Sequence, residues 1–264
     1  MDPPPYASDL KHFWGTQITG DLVHWGGRYW YAKTAHGDLW REVLASDLGK
    51  GRLNVAEVVY AEHASGALWT DGRAFEPEEN ANRVLVRIAQ DYDLGELPLA
   101  DLDQAIAAEL AFSVWIRRRD AHPWNRAYVS GIPIFFDHHI AFGAEAENNE
   151  INSFFRSGGD GGYTGRWRVR TVPPSEQPTT QGERVSSGGQ MAIHRVHDLS
   201  AFDTHISRAA ENIEQIADSE LRDAAGSLHA ANTEEIVSFL IETRETLDHA
   251  LGTLRLVLSQ GDSV

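Results

Sequence analysis

Residues 120 to 137 carry three oxygen-bearing side chains at spacings that suit phosphoryl transfer. Asp120 and Asn125 stand five positions apart in D-x-H-x-x-N, with His122 between them, and Asp137 follows the apolar run IPIFF twelve positions after Asn125. Upstream, Lys33 ends an aromatic run and Glu42 comes nine positions later. Moving the γ-phosphoryl group of ATP requires positioned magnesium, neutralised phosphate charge and a group that orients the acceptor hydroxyl. Magnesium favours carboxylate and amide oxygens, so Asn125 and Asp137 are candidate metal and nucleotide ligands. Asp120 is the candidate acceptor of the hydroxyl proton. Lys33, held by Glu42, is the candidate grip on the phosphates.

The surrounding pattern says which elements must hold these groups. Residues 20 to 34 read as two short strands around Gly26-Gly27, a hairpin signal that leaves Lys33 near a strand end. A helix is expected next, capped by Asp38, with Leu39, Val43 and Ala45 or Leu48 on one side and Gly49 closing it. Residues 53–60 and 83–89 are strand candidates, which completes a small mixed lobe over about 11–98.

From residue 99 to 118 apolar positions at 102, 106, 110 and 114 or 115 predict a helix that leads into the Asp120 motif. Over 144–190 periodicity is lost, and eight glycines between 158 and 189 point to a mobile loop. Ile206, Ile213 and Ile216 then mark one helix, and the apolar positions from Ile236 to Leu258 mark another, with Asn232 and Glu235 of NTEE forming a capping box. The second lobe, about 99–264, is therefore mostly helical.

The order Lys33, Glu42, Asp120, Asn125, Asp137 is that of protein kinases, whose catalytic loop also places an aspartate five residues before a metal-binding asparagine. RDAHPWN and FFDHHIAFG resemble the motifs of HipA-like bacterial kinases and of kinases related to the phosphatidylinositol kinases, and RYWYAK with LWREVLASDLG resembles their nucleotide lysine and the helix behind it. The resemblance runs from about Gly20 to the last helix, and its specific part is 120–143. It implies an α+β, bilobal protein-kinase-like fold in one domain, with 144–190 as an activation-segment-like loop. It further implies Lys33 on the nucleotide phosphates, Glu42 as its partner, Asp120 as base, Asn125 and Asp137 on Mg2+, and His122 bracing the loop. The implied acceptor is a protein serine or threonine. The chain departs from protein kinases in two places: GTQITGD at 15–21 is a weak substitute for a Gly-rich loop, and His139 stands where they carry glycine.

Composition narrows the alternatives. Among 264 residues, 39 acidic against 23 basic side chains give a formal charge of −16, which disfavours wide contact with nucleic-acid phosphates or an anionic membrane. There is no cysteine, hence no disulfide or thiolate metal site. No apolar run is long enough for a membrane span and no secretory signal pattern opens the chain, so a cytoplasmic location is expected, with ATP and a protein substrate as partners. One local reversal stands out: Arg156, Arg166, Arg168 and Arg170 cluster in a stretch that also carries Ser157, Thr164, Thr171, Thr179, Thr180, Ser186 and Ser187, where phosphorylation could pair with the arginines. Two other readings remain. The Asp and His residues of DAH and DHH could serve a metal-dependent phosphohydrolase, and the departures named above would suit a catalytically silent, kinase-like nucleotide-binding module.

Overall fold

The computed structural model describes residues 21–34, 39–118, 125–138, 141–142, 166–184, 190–228 and 232–260. It is a mixed α+β structure in two compact units. The first comprises Met1–Pro98, Trp124–His139 and Leu228–Ala230, and the second Leu99–Pro123, Ile140–Ser227 and Ala231–Val264. The chain thus leaves the first unit after residue 98 and returns to it for the segment that carries Asn125 and Asp137.

The first unit is built on an antiparallel five-stranded sheet. Strands β1 (Asp21–Trp25), β2 (Arg28–Thr34), β3 (Val58–Tyr60), β4 (Leu68–Trp69) and β5 (Arg83–Arg87) take the order β3-β5-β2-β1-β4. The β1–β2 turn uses Gly26 and Gly27 at φ 59° and 77°, a left-handed pair that matches strand twist and that L side chains resist. Strand alternation gives the sheet two different faces. Val23, Trp30, Ala32 and Leu85 pack with Ala61, Ala64, Ala67 and Phe75, so the 61–75 segment closes one face. Lys33 lies opposite Val84, and Tyr31 and Val58 lie opposite Val86, which puts these residues on the other face.

Helix α1 (Trp40–Gly49) joins β3, where the Val58 amide donates to the Ser46 hydroxyl at 2.9 Å. Leu39 occupies the cap position in helical conformation and makes no side-chain cap bond; Asp38, expected there, lies outside the described residues. The strand expected over 53–60 contracts to β3, because residues 54–56 bond elsewhere. A short hairpin, β6 (Arg126–Val129) with β7 (Ile132–Phe135), completes the unit.

In the second unit, helix α2 (Leu102–Trp115) is capped by Asp101, whose carboxylate accepts from the Gln104 amide at 2.9 Å. Every residue from Ala105 to Trp115 is buried, including Glu109, which pairs with Arg118. Trp115 Nε1 donates to the Leu240 carbonyl at 3.0 Å.

The stretch read as a loop over 144–190 contains strands within its described part. Here β8 (Arg166–Thr171) and β9 (Thr180–Arg184) flank β10 (Gln190–Val196), with β8–β10 parallel and β9–β10 antiparallel. The glycine count masks a period-two run, RWRVRT, whose partner is remote in sequence; residues 143–165 and 185–189 lie outside the described residues.

Four helices follow: α3 (Leu199–Glu214), α4 (Asp218–Gly226), α5 (Thr233–Glu245) and α6 (Leu247–Gln260). The single helix expected after Asn232 is two, interrupted at Thr246, whose hydroxyl donates back to the Glu242 carbonyl at 3.1 Å. Asn232 holds the cap position, but its side chain donates to the Glu235 carboxylate at 2.9 Å instead of capping an amide. Among the described residues, no helix is long and apolar enough to cross a membrane.

Candidate functional site

Three elements of the first unit bring charged groups together. Lys33 is the penultimate residue of β2, Glu42 lies in the first turn of α1, and Asp137 stands two residues beyond β7. Lys33 Nζ donates to Glu42 Oε1 at 2.5 Å and also to Asp137 Oδ1. The backbone amide of His138 donates to Glu42 Oε2 at 2.9 Å. One carboxylate therefore joins the strand lysine to the main chain beside Asp137.

Burial separates the roles of the two acids. Glu42 is 1% exposed and spends an oxygen on each partner, whereas the Asp137 and Lys33 side chains are 26% and 21% exposed. A ligand can reach Asp137 and Lys33; Glu42 is positioned to hold them. Burial alone would lower the Lys33 pKa, but the carboxylates of Glu42 and Asp137 outweigh it and hold the ammonium above its ordinary range. The lysine stays charged throughout the neutral range.

The helix that supplies Glu42 and the strand that leads to Asp137 are locked to each other. After α1 the Leu53 amide donates to the Gly49 carbonyl at 2.8 Å. The next residues run beside β7, with Phe135 N donating to Asn54 O at 2.7 Å and Ala56 N to Phe135 O at 2.8 Å. Gly49 is the last residue of α1, as its residue type suggests, and it has a second role: a Cβ there would stand 2.1 Å from Val55 Cγ2, so glycine lets the returning segment press against the helix. Asp137 itself has φ 66°, a left-handed conformation that costs a non-glycine residue of the order of 1–3 kcal/mol; the turn lies between the Asp137 carboxylate that accepts from Lys33 and the His138 amide that donates to Glu42.

Asn125 sits at the open end of the β6–β7 hairpin. Its carbonyl accepts from the Phe136 amide at 3.1 Å, so the hairpin sets Asn125 across from the residue before Asp137. Asn125 is 7% exposed. Asn125 carries an amide oxygen and Asp137 a partly exposed carboxylate, both hard donors of the kind magnesium takes, with phosphates and water completing its shell. Asp120, His122 and His139 lie outside the described residues. Among the described residues, no group of three or more His, Asp or Glu side chains is arranged to hold a metal ion.

The sequence reading missed three contributors: the His138 amide, the 54–56 backbone and the Gly49–Val55 contact. The first two act through main-chain atoms and leave no side-chain signature. Comparison with protein-family models, with curated proteins and with solved structures finds no match to this chain.

Proposed function

We propose that the chain is an ATP- and magnesium-dependent phosphotransferase of bilobal, protein-kinase-like architecture, acting on a serine or threonine hydroxyl of a protein. The observation that carries this reading is the Lys33 ammonium held between Glu42 on a helix and Asp137 beyond a strand. Protein kinases require a strand lysine paired with a helix glutamate and an aspartate for the metal. The antiparallel sheet that holds Lys33 and the hairpin that sets Asn125 near Asp137 support the same reading.

In this scheme Lys33 turns from Asp137 to the phosphates when nucleotide enters, while buried Glu42 keeps hold of its ammonium. Asp137 and Asn125 then present oxygen to Mg2+, which would neutralise charge on the β- and γ-phosphates. Asp120, assigned from sequence spacing, accepts the proton of the acceptor hydroxyl.

The test compares the parent with Asp137→Asn and Asp120→Asn, titrating ATP with magnesium and following labelled γ-phosphate onto protein. Asn tolerates the left-handed backbone at 137, so Asp137→Asn should fold and lose magnesium-dependent nucleotide binding. Asp120→Asn should bind nucleotide and fail to transfer. Transfer at the parent rate by both variants overturns the assignment.

A further inference from the structure

A second cluster of reactive groups lies in the second unit. Thr180 at the start of β9 and His194 on β10 are register partners across the ladder, so their side chains share a face. Thr180 Oγ1 lies 3.4 Å from His194 Nδ1, and His194 Nε2 lies 2.8 Å from Asp103 Oδ1 on α2. The imidazole is fully buried and rests on Phe202, with ring centroids 5.3 Å apart. Asp103 is 28% exposed and Thr180 half-buried.

Asp103 decides which nitrogen carries the proton. An ionised carboxylate only accepts, so Nε2 bears the hydrogen and Nδ1 of the neutral ring offers its lone pair to the Thr180 hydroxyl. A hydroxyl, a base facing it and an acid orienting that base are the parts of an activated oxygen nucleophile. The hydroxyls of Thr179, Thr204, Ser207 and Thr243 instead donate to main-chain carbonyls.

We propose that Thr180 is a phosphate-accepting hydroxyl of this chain, with His194 as its base and Asp103 as the group that orients His194. The inference rests on the phosphotransferase reading for its donor, ATP. Thr180 Oγ forms a bond to the γ-phosphorus as the bond from that phosphorus to the β,γ-bridging oxygen breaks. The electron pair leaves with ADP, and the hydroxyl proton passes to His194 Nδ1, which for this one hydroxyl takes the place that Asp120 has for acceptors without a base of their own. The resulting imidazolium lies between Asp103 and the new phosphate, an arrangement that favours the product. A strand-borne threonine thereby becomes a substrate of the same kind of chain that carries the nucleotide site.

The test incubates the full chain with magnesium and γ-labelled ATP and locates the label by tandem mass spectrometry. Thr180 should carry it, Thr180→Ser should retain it at that position, and Thr180→Ala should lose it. His194→Ala should lower labelling of Thr180 by about 100-fold, the scale of a lost general base, and added imidazole should restore it. Asp103→Asn should lower it with the far-UV spectrum unchanged, and it carries the test if His194→Ala does not fold. Label on other residues but not on Thr180, or on Thr180 at the parent rate in both variants, overturns this inference and leaves the phosphotransferase reading standing. No label on the chain or on an added unstructured acceptor protein overturns both.

Discussion

Glu42 and His138 are joined by a bond from a main-chain amide to a buried carboxylate, at 2.9 Å, while the other oxygen of that carboxylate receives Lys33 at 2.5 Å. Truncating Glu42 removes both bonds. Glu42→Ala should therefore lower the unfolding free energy by about 3 kcal/mol, the upper range for a charged hydrogen bond, whereas Glu42→Gln, which keeps one acceptor oxygen, should lose less. Urea denaturation measures both, and equal losses would mean that the His138 bond contributes nothing.

Lys33→Met removes the cation between two carboxylates. Because its folded-state pKa is raised, the stability from Lys33 is complete below the unfolded value, about 10.4, and fades only above it. The stability gap between parent and variant should stay level from pH 7 to about 10 and narrow beyond. A gap that changes between pH 7 and 9 contradicts the ion triad.

Gly49→Ala should destabilise by about 1–3 kcal/mol through overpacking against Val55. The double variant Gly49→Ala, Val55→Ala should recover part of that loss, a coupling that independent sites do not show. Nucleotide affinity should fall with Gly49→Ala as well, since the same contact sets α1 against β7.

Burial pushes the Tyr92 phenol up to about 12. Its oxygen accepts from the Glu57 amide at 2.7 Å, and the Arg87 guanidinium lies 3.8 Å above its ring. In a difference absorbance titration of parent against Tyr92→Phe, the phenolate signal should be missing near pH 10 and emerge close to 12. Since the folded pKa is the higher one, the contribution of Tyr92 to stability should be lost across that interval as pH rises.

The first hairpin was legible because Gly26-Gly27 interrupts two aromatic, β-branched runs, and turn chemistry acts locally. The approach of Lys33 to Glu42 follows from the same short range, since a strand end and the next helix are forced close together. Asp137 was legible as a polar residue after an apolar strand, but the bond between Glu42 and the His138 amide was not, because main-chain groups are alike in every residue. Ser130 and Gly131, at φ 50° and 85°, form the turn between β6 and β7, and a Ser-Gly pair is a local turn signal of the same kind. The β8–β10 pair is parallel and its strands are separated by a long excursion, so no window of sequence contains the pairing. Gly49 does close α1, but its second role, leaving room for the Val55 methyl, depends on volume in the folded chain and has no local sequence signal.

The return of residues 124–139 to the first unit has a consequence for synthesis on the ribosome. A nascent chain that has emerged only through residue 98 already contains all five strands of the first sheet and α1. It still lacks the strand that satisfies Asn54 and Ala56 and the second anion for Lys33. That half-made unit must wait through the whole of α2 before its last strand arrives, exposing main-chain groups that a neighbouring chain could pair with in the interval. Vectorial folding here is thus a matter of delayed closure, and the same residues that complete the charge triad also end the period of exposure.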